Sequence, residues 1–145
     1  MATRFERYGE RGLAAILPSP IWDLVGMKLV ALSPGQATLE MPASPQIMNT
    51  QGMVHGGATS TLADTAMGAA CWTLVEDNAL FTTIELKVSF LKAVRSGTLT
   101  ATGTIIRQGR SAAFAECSVT DGEGTLIARA SCTFLLQAGA SPAAG

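Results

Sequence analysis

HGGATSTLADTAMGAACWTLV, His55 to Val75, is a run of small and apolar residues carrying a single charge, Asp64. Its length and unbroken character predict one long helix from His55 to about Glu76, apolar or small on nearly every face and therefore buried. Gly56 and Gly57 stand at its start, where the first backbone N–H groups have no partner in the helix and the dipole points its positive end. That is a place for an oxyanion, although a Gly-Gly pair also serves close packing or a tight turn. Asp64 lies close to Ala63 and Ala66, and a desolvated carboxylate is costly unless it is bonded, paired or used. Two readings of it stay open. It either satisfies a backbone group or sits on a solvated stripe with Thr61 and Gly68, or it does chemistry.

Spacing sharpens the second reading. Gly56 and Asp64 are eight residues apart, about 12 Å along a helix, so the two cannot touch the same reacting carbonyl. Two copies of the helix packed antiparallel about a two-fold axis would bring the acid of one subunit to the helix start of the other, giving two equivalent sites per dimer. A membrane span is disfavoured. Asp64, four Thr, one Ser and three Gly lie inside the run, which lacks flanking basic asymmetry and an aromatic belt.

Around this helix the chain reads as strands. Val25–Ser33 and Gln36–Met41 alternate in polarity about Ser33-Pro34-Gly35 and predict a hairpin. Four longer runs follow, Leu80–Val94, Thr98–Arg107, Ala112–Thr120 and Thr125–Gln137, separated by Arg95-Ser96-Gly97, Gln108-Gly109-Arg110 and Asp121-Gly122-Glu123-Gly124, each of which predicts a hairpin. In the first of them Ile84, Leu86, Val88 and Phe90 alternate with Thr83, Glu85, Lys87 and Ser89, predicting one buried and one polar face. Residues 4–17 predict a short amphipathic helix closed by Gly12 or by Pro18 and Pro20. Residues 42–50 read as an ordered loop in which Ile47 and Met48 face something. The expected organisation is an N-terminal helical extension (1–19), one α+β domain (20–137) with a curved antiparallel sheet of five to six strands around a central helix, and a disordered tail (138–145).

Composition narrows the function. Of 145 residues only 14% are charged against 48% hydrophobic, which favours subunit association. The net charge of −1 and the absence of a basic cluster argue against nucleic acid. The N-terminus reads as lacking an export signal, and three widely spaced cysteines, Cys71, Cys117 and Cys132, read as reduced core thiols, so a cytoplasmic location is expected. His55 is the sole histidine, which excludes a histidine-rich zinc site, and no serine sits in a nucleophile elbow.

The combination Asn49, His55-Gly56-Gly57, Leu62-Ala63-Asp64, set between a hairpin and four strands, resembles the hotdog-fold acyl-CoA thioesterases of the phenylacetic-acid-degradation (PaaI) type over roughly residues 20–137. The resemblance implies dimers, commonly tetramers, with active sites shared across the dimer interface. It implies hydrolysis of an aryl- or medium-chain acyl-CoA to free CoA and a carboxylic acid, with no separate cofactor and no metal. Asp64 would be the catalytic base or nucleophile, and Gly56 would offer its N–H to the thioester oxygen. His55 would hold that turn, while Asn49 would position the thioester or the attacking water. Thr83 matches the position of a water-assisting hydroxyl. Gly57, Met48, Arg110 and Ser111 would contact substrate or coenzyme A, with Arg110 pairing a phosphate through its planar fork or serving as an ordinary hairpin arginine. Gly68 stands where some relatives carry a hydroxyl one turn after the acid, and it opens room for a broader acyl group or lets helices approach. Ile47, Met48, Met53 and Trp72 are candidates to line an acyl pocket or to fill the core. Two other functions compete: a hotdog hydratase or dehydratase, which pairs His with an acid, and a non-catalytic acyl-CoA sensor.

Overall fold

The computed structural model describes residues 1–139; of the expected tail, residues 140–145 lie outside the described residues. The chain opens with α1 (Arg4–Ile16). Thr3 accepts the Glu6 N–H while the Glu6 carboxylate accepts the Thr3 N–H, a reciprocal cap that satisfies two orphan donors. Gly9, at φ +65°, kinks this helix, and Gly12 lies inside it, so of the two expected stops the Pro18/Pro20 region is where it ends. A second helix, α2 (Pro20–Val25), was not expected from the sequence. In the sequence Pro20 reads as a terminator, yet proline is equally at home in the first turn of the next helix, where its missing N–H costs nothing. Gly26 in the left-handed region closes α2, and the first strand therefore begins at Lys28, not at Val25.

Strands β1 (Lys28–Ser33) and β2 (Gln36–Pro42) form the expected hairpin, with Pro34 and Gly35 at the turn. The long helix α3 spans Gly56–Leu74. It is followed by β3 (Leu80–Phe90), β4 (Thr98–Gln108), β5 (Ala112–Thr120) and β6 (Leu126–Gln137). Among the described residues the six strands make one antiparallel sheet in the order β1-β2-β4-β5-β6-β3, so β1 and β3 are its edges. Strand β3 ends at Phe90 rather than Val94 and pairs with β6 instead of β4, so the break at 95–97 is a crossover and not the expected hairpin. This is the curved sheet around a central helix that the hotdog resemblance implies.

The core lies between α3 and the concave face. Leu62, Ala66, Met67 and Cys71 of the helix pack with Leu39 and Met41 of β2, Leu99 and Ala101 of β4, Val119 of β5 and Phe134 of β6, all fully buried. Gly103 sets how close the helix comes. A Cβ there would stand 2.5–2.6 Å from the backbone of Ala66 and Met67, so the α3 backbone rests directly on β4. Burial of α3 is not uniform, which corrects the expectation of a helix enclosed on nearly every face. Gly57, Thr61, Gly68 and Trp72, with the adjacent pair Asp64 and Thr65 between them at three or four residues from Thr61 and Gly68, form a stripe that remains partly or fully open.

Strict alternation fails in β3. The register shifts between Thr83, opposite Phe134, and Glu85, opposite Thr133, leaving Ile84 as a bulge. Phe134 is buried in the core, whereas Thr133 bonds the Glu85 carboxylate on the outer face. Thr83 therefore shares the helix-facing side with Leu86, Val88 and Phe90, although the sequence pattern had put it with the polar residues. Of the set expected to be buried, Ile84 is 58%, Leu86 39% and Phe90 56% exposed: the bulge turns Ile84 outward, and as an edge strand β3 leaves the other two uncovered within this chain. One inserted residue has reversed the phase of the strand and re-aimed a hydroxyl.

Candidate active site

Asp64 lies half-buried on the open stripe of α3, and the Thr83 hydroxyl donates to its Oδ1 at 2.9 Å. Both side chains line a cavity of about 470 Å3 between α3, the start of β3 and the N-terminal segment. Gly68, one turn beyond the acid, lines it too, and a Cβ at that position would meet nothing within 4 Å. Ile16, Leu17, Trp22, Trp72, Phe81 and Phe134 supply most of the apolar wall. Of these only Trp72 was named from the sequence. The others come from three segments, 16–22, Phe81 and Phe134, that lie 53 to 118 positions from one another, and no local pattern announces that they meet.

The start of α3 is a separate place. His55 caps the helix, its Nδ1 accepting the Gly57 N–H at 2.8 Å, while its own carbonyl accepts from Ala58 and Thr59 at 2.9 and 3.2 Å. The ring is thereby an acceptor at Nδ1 and carries its proton on Nε2. Among the described residues every N–H of the first turn is thus satisfied except that of Gly56. The cap selects one free amide at the positive end of the dipole, and Gly57, expected to contact substrate, instead gives its N–H to His55.

Asn49 and Gly56 line a second cavity, of about 310 Å3, with Met53, Thr59, Phe90 and Leu91. The Asn49 Oδ1 accepts from Gln51 N at 2.9 Å and Met53 N at 3.1 Å, so the oxygen does turn chemistry and Nδ2 is left as the donor. Met48 bridges Val54 and lines neither cavity, while Ile47 is buried in the core. The candidate residues thus separate into two groups within one chain: Asp64 with Thr83, and Asn49 with Gly56.

Arg110 and Ser111 sit in the β4–β5 turn and line a shallow third cavity with Arg107 and Thr133. The Ser111 carbonyl accepts the Leu136 N–H, so this turn is fastened to the end of β6 that pairs with Leu80–Thr83. Cys71, Cys117 and Cys132 are buried and free, and burial pushes each thiol up to about 12. At neutral pH they are unreactive apolar groups. Among the described residues no helix is long and apolar enough to cross a membrane.

Comparison with known proteins gives the same direction. Residues 51–128 match the model of the family described as the thioesterase superfamily. The 1,4-dihydroxy-2-naphthoyl-CoA hydrolase of Listeria monocytogenes is 24% identical over 115 residues, covering 79% of this chain and 94% of that one. Human acyl-coenzyme A thioesterase 13 is 29% identical over 105 residues, covering 70% and 73%. The solved structure of the PaaI protein from the phenylacetic acid degradation operon of E. coli superimposes with a TM-score of 0.79 over 87% of this chain and 90% of that one at 22% identity, a likeness of fold.

Proposed function

The chain belongs to the thioesterase superfamily, and from that premise we propose that it hydrolyses an acyl-CoA thioester to coenzyme A and a carboxylic acid, with Asp64 as the catalytic carboxylate. The observation that carries this is the placement of Asp64: half-buried, bonded by Thr83, and lining a cavity of about 470 Å3. There it takes the proton of an attacking water or attacks the carbonyl carbon itself. In either case a tetrahedral oxyanion forms, the C–S bond breaks and the thiolate leaves to be protonated; on the second route the acyl group stays on Asp64 as a mixed anhydride, which water then cleaves to the carboxylic acid and the free Asp64 carboxylate. The Gly56 N–H meets that oxyanion, with the helix dipole adding to its pull. Asn49 Nδ2 orients the thioester, His55 keeps Gly57 from competing, and Arg110 with Ser111 takes a phosphate of coenzyme A. The acyl group enters the cavity beside Asp64, where the bare position at Gly68 leaves breadth.

Assembly supplies what one chain separates. β3 is a sheet edge carrying exposed Leu80, Ile84 and Phe90, the kind of apolar edge that proteins cover. We read it as the seam of a homodimer in which two α3 helices run antiparallel and each site takes Asp64 from one subunit and Gly56 and Asn49 from the other, with pairs of dimers forming a tetramer. The hydratase alternative finds less support, because the only imidazole is spent capping α3 and does not line the Asp64 cavity.

The test is Asp64→Asn. With phenylacetyl-CoA or octanoyl-CoA as substrate and released thiol as readout, kcat is expected to fall by about 10³-fold, with an unchanged circular dichroism spectrum. Retention of more than a tenth of the activity would falsify the assignment.

A further inference from the structure

Arg4 is an unusual residue to bury. It is only 5% exposed, and its Nη1 is enclosed without a hydrogen-bond partner among the described residues. Removing a guanidinium from water and orphaning a donor both cost free energy, so an apolar side chain of similar length would be the cheaper filling. What the arginine does instead is hold three things at once. Its guanidinium carbon lies 3.9 Å from the centroid of the Trp72 ring. Its Nη2 donates to the carbonyls of Asp77 at 2.9 Å and Ala79 at 2.8 Å. Its own backbone N–H donates to the Val75 carbonyl at 2.8 Å.

Those contacts all belong to the corner where α3 ends and β3 begins. Trp72 packs edge-on against Phe81 at 6.4 Å, and Phe81 packs edge-on against Phe134 at 5.3 Å. All three rings line the cavity that holds Asp64. Arg4 touches neither Asp64 nor the cavity. It fixes Trp72 through a cation–ring contact and fixes the approach to Phe81 through two carbonyls, while the chain that follows it lines the same cavity at Ile16, Leu17 and Trp22.

We propose that Arg4 is a positioning residue for the acyl compartment: by pinning Trp72 and the 77–79 turn it sets a rigid, ring-lined wall that favours an aromatic acyl group over an extended chain. This rests on the thioesterase reading of the cavity. A flat acyl group gains edge and face contacts with rings held in place, whereas an extended chain needs the wall to give way. A lysine would keep the charge but not the flat stacking or the two-carbonyl fork.

The experiment compares Arg4→Met and Arg4→Lys with the wild type on phenylacetyl-CoA, octanoyl-CoA and acetyl-CoA. For Arg4→Met the KM for phenylacetyl-CoA is expected to rise by up to about tenfold, bounded by the energy of the cation–ring contact that no longer holds Trp72 in place, with kcat little changed and octanoyl-CoA turned over relatively better. Arg4→Lys is expected to recover part of the discrimination. Equal losses on all three substrates, or an unchanged preference, overturn the proposal. A second readout needs no activity: in a Trp22→Phe background the emission of Trp72 is expected to shift to the red when Arg4 becomes Met. Unaltered emission overturns the positioning role, whereas a wild-type protein inert on all three thioesters overturns the hydrolase reading.

Discussion

Among the described residues Thr83 is the one donor to the Asp64 carboxylate, at 2.9 Å, so it holds the acid in one orientation and lowers the entropy that reaction must otherwise remove. Thr83→Val keeps the β-branched shape and deletes the donor. About one hydrogen bond to a charged group is lost, which corresponds to roughly a tenfold to hundredfold fall in kcat, while Thr83→Ser retains most of the activity; steady-state kinetics on a single acyl-CoA decides it. Asp64 was legible in the sequence because a lone charge in a run of small apolar residues demands an explanation, and Gly56 because glycines at a helix start leave amides bare. Arg4 was not, since an arginine near a chain start reads as a solvated charge until Trp72, 68 positions later, is seen beneath it. The inward aim of Thr83 was not legible either, because period-two alternation has no mark for the bulge at Ile84 that reverses it.

Helix α3 is positioned by contacts that a single substitution can disturb. At Gly103 any Cβ would stand 2.5–2.6 Å from the Ala66 and Met67 backbone, a collision with main chain on one side and strand on the other. Gly103→Ala is expected to cost at least about 2 kcal/mol of stability, read as a lower urea midpoint, and to reduce kcat because Asp64 is only two residues before the displaced turn. The cysteines behind the helix give a second expectation, at alkaline pH. The ordinary thiol value is 9.0, and burial raises Cys117 to about 12 in the folded chain. Between those values the unfolded chain gives up a proton that the folded chain keeps, so this contribution is fully present below pH 9 and lost as pH rises toward 12. The slope is up to about 1.4 kcal/mol per pH unit per thiol. Urea midpoints at pH 8 and pH 10.5 are expected to differ less in Cys117→Ala than in the wild type. The hairpin breaks at 108–110 and 121–124 and the long helix could be read from local pattern alone, whereas the break at 95–97 has the same turn chemistry but carries the chain across the sheet, because β3 pairs with β6 and not with β4. Helix α2 could not, because Pro20 is consistent both with ending one helix and with starting another.

At the scale of the molecule the two cavities are the informative feature. One chain carries Asp64 and Thr83 in the first and Gly56 and Asn49 in the second, and the eight-residue separation on a rigid helix, about 12 Å, keeps them apart. Catalysis that needs both then needs two chains, and mixing experiments can count the sites. Gly56→Pro is the suitable partner for Asp64→Asn. It removes the free N–H, proline is favoured at the first helical position, and His55 already has the extended backbone, φ −62° and ψ 136°, that a residue before proline requires. Its ring would press on the end of Phe90, whose side chain is 56% exposed and free to yield. Each variant alone is expected to lose about 10²- to 10³-fold in kcat. Unfolded together and refolded as an equimolar mixture, half the dimers are mixed, and each mixed dimer holds one site with intact Asp64 and Gly56 and one with neither. Recovery to about a quarter of wild-type activity is the expected outcome by that random-pairing arithmetic. A mixture no more active than its components would mean that acid and amide serve the same chain's site, and the antiparallel pairing of α3 would have to be abandoned.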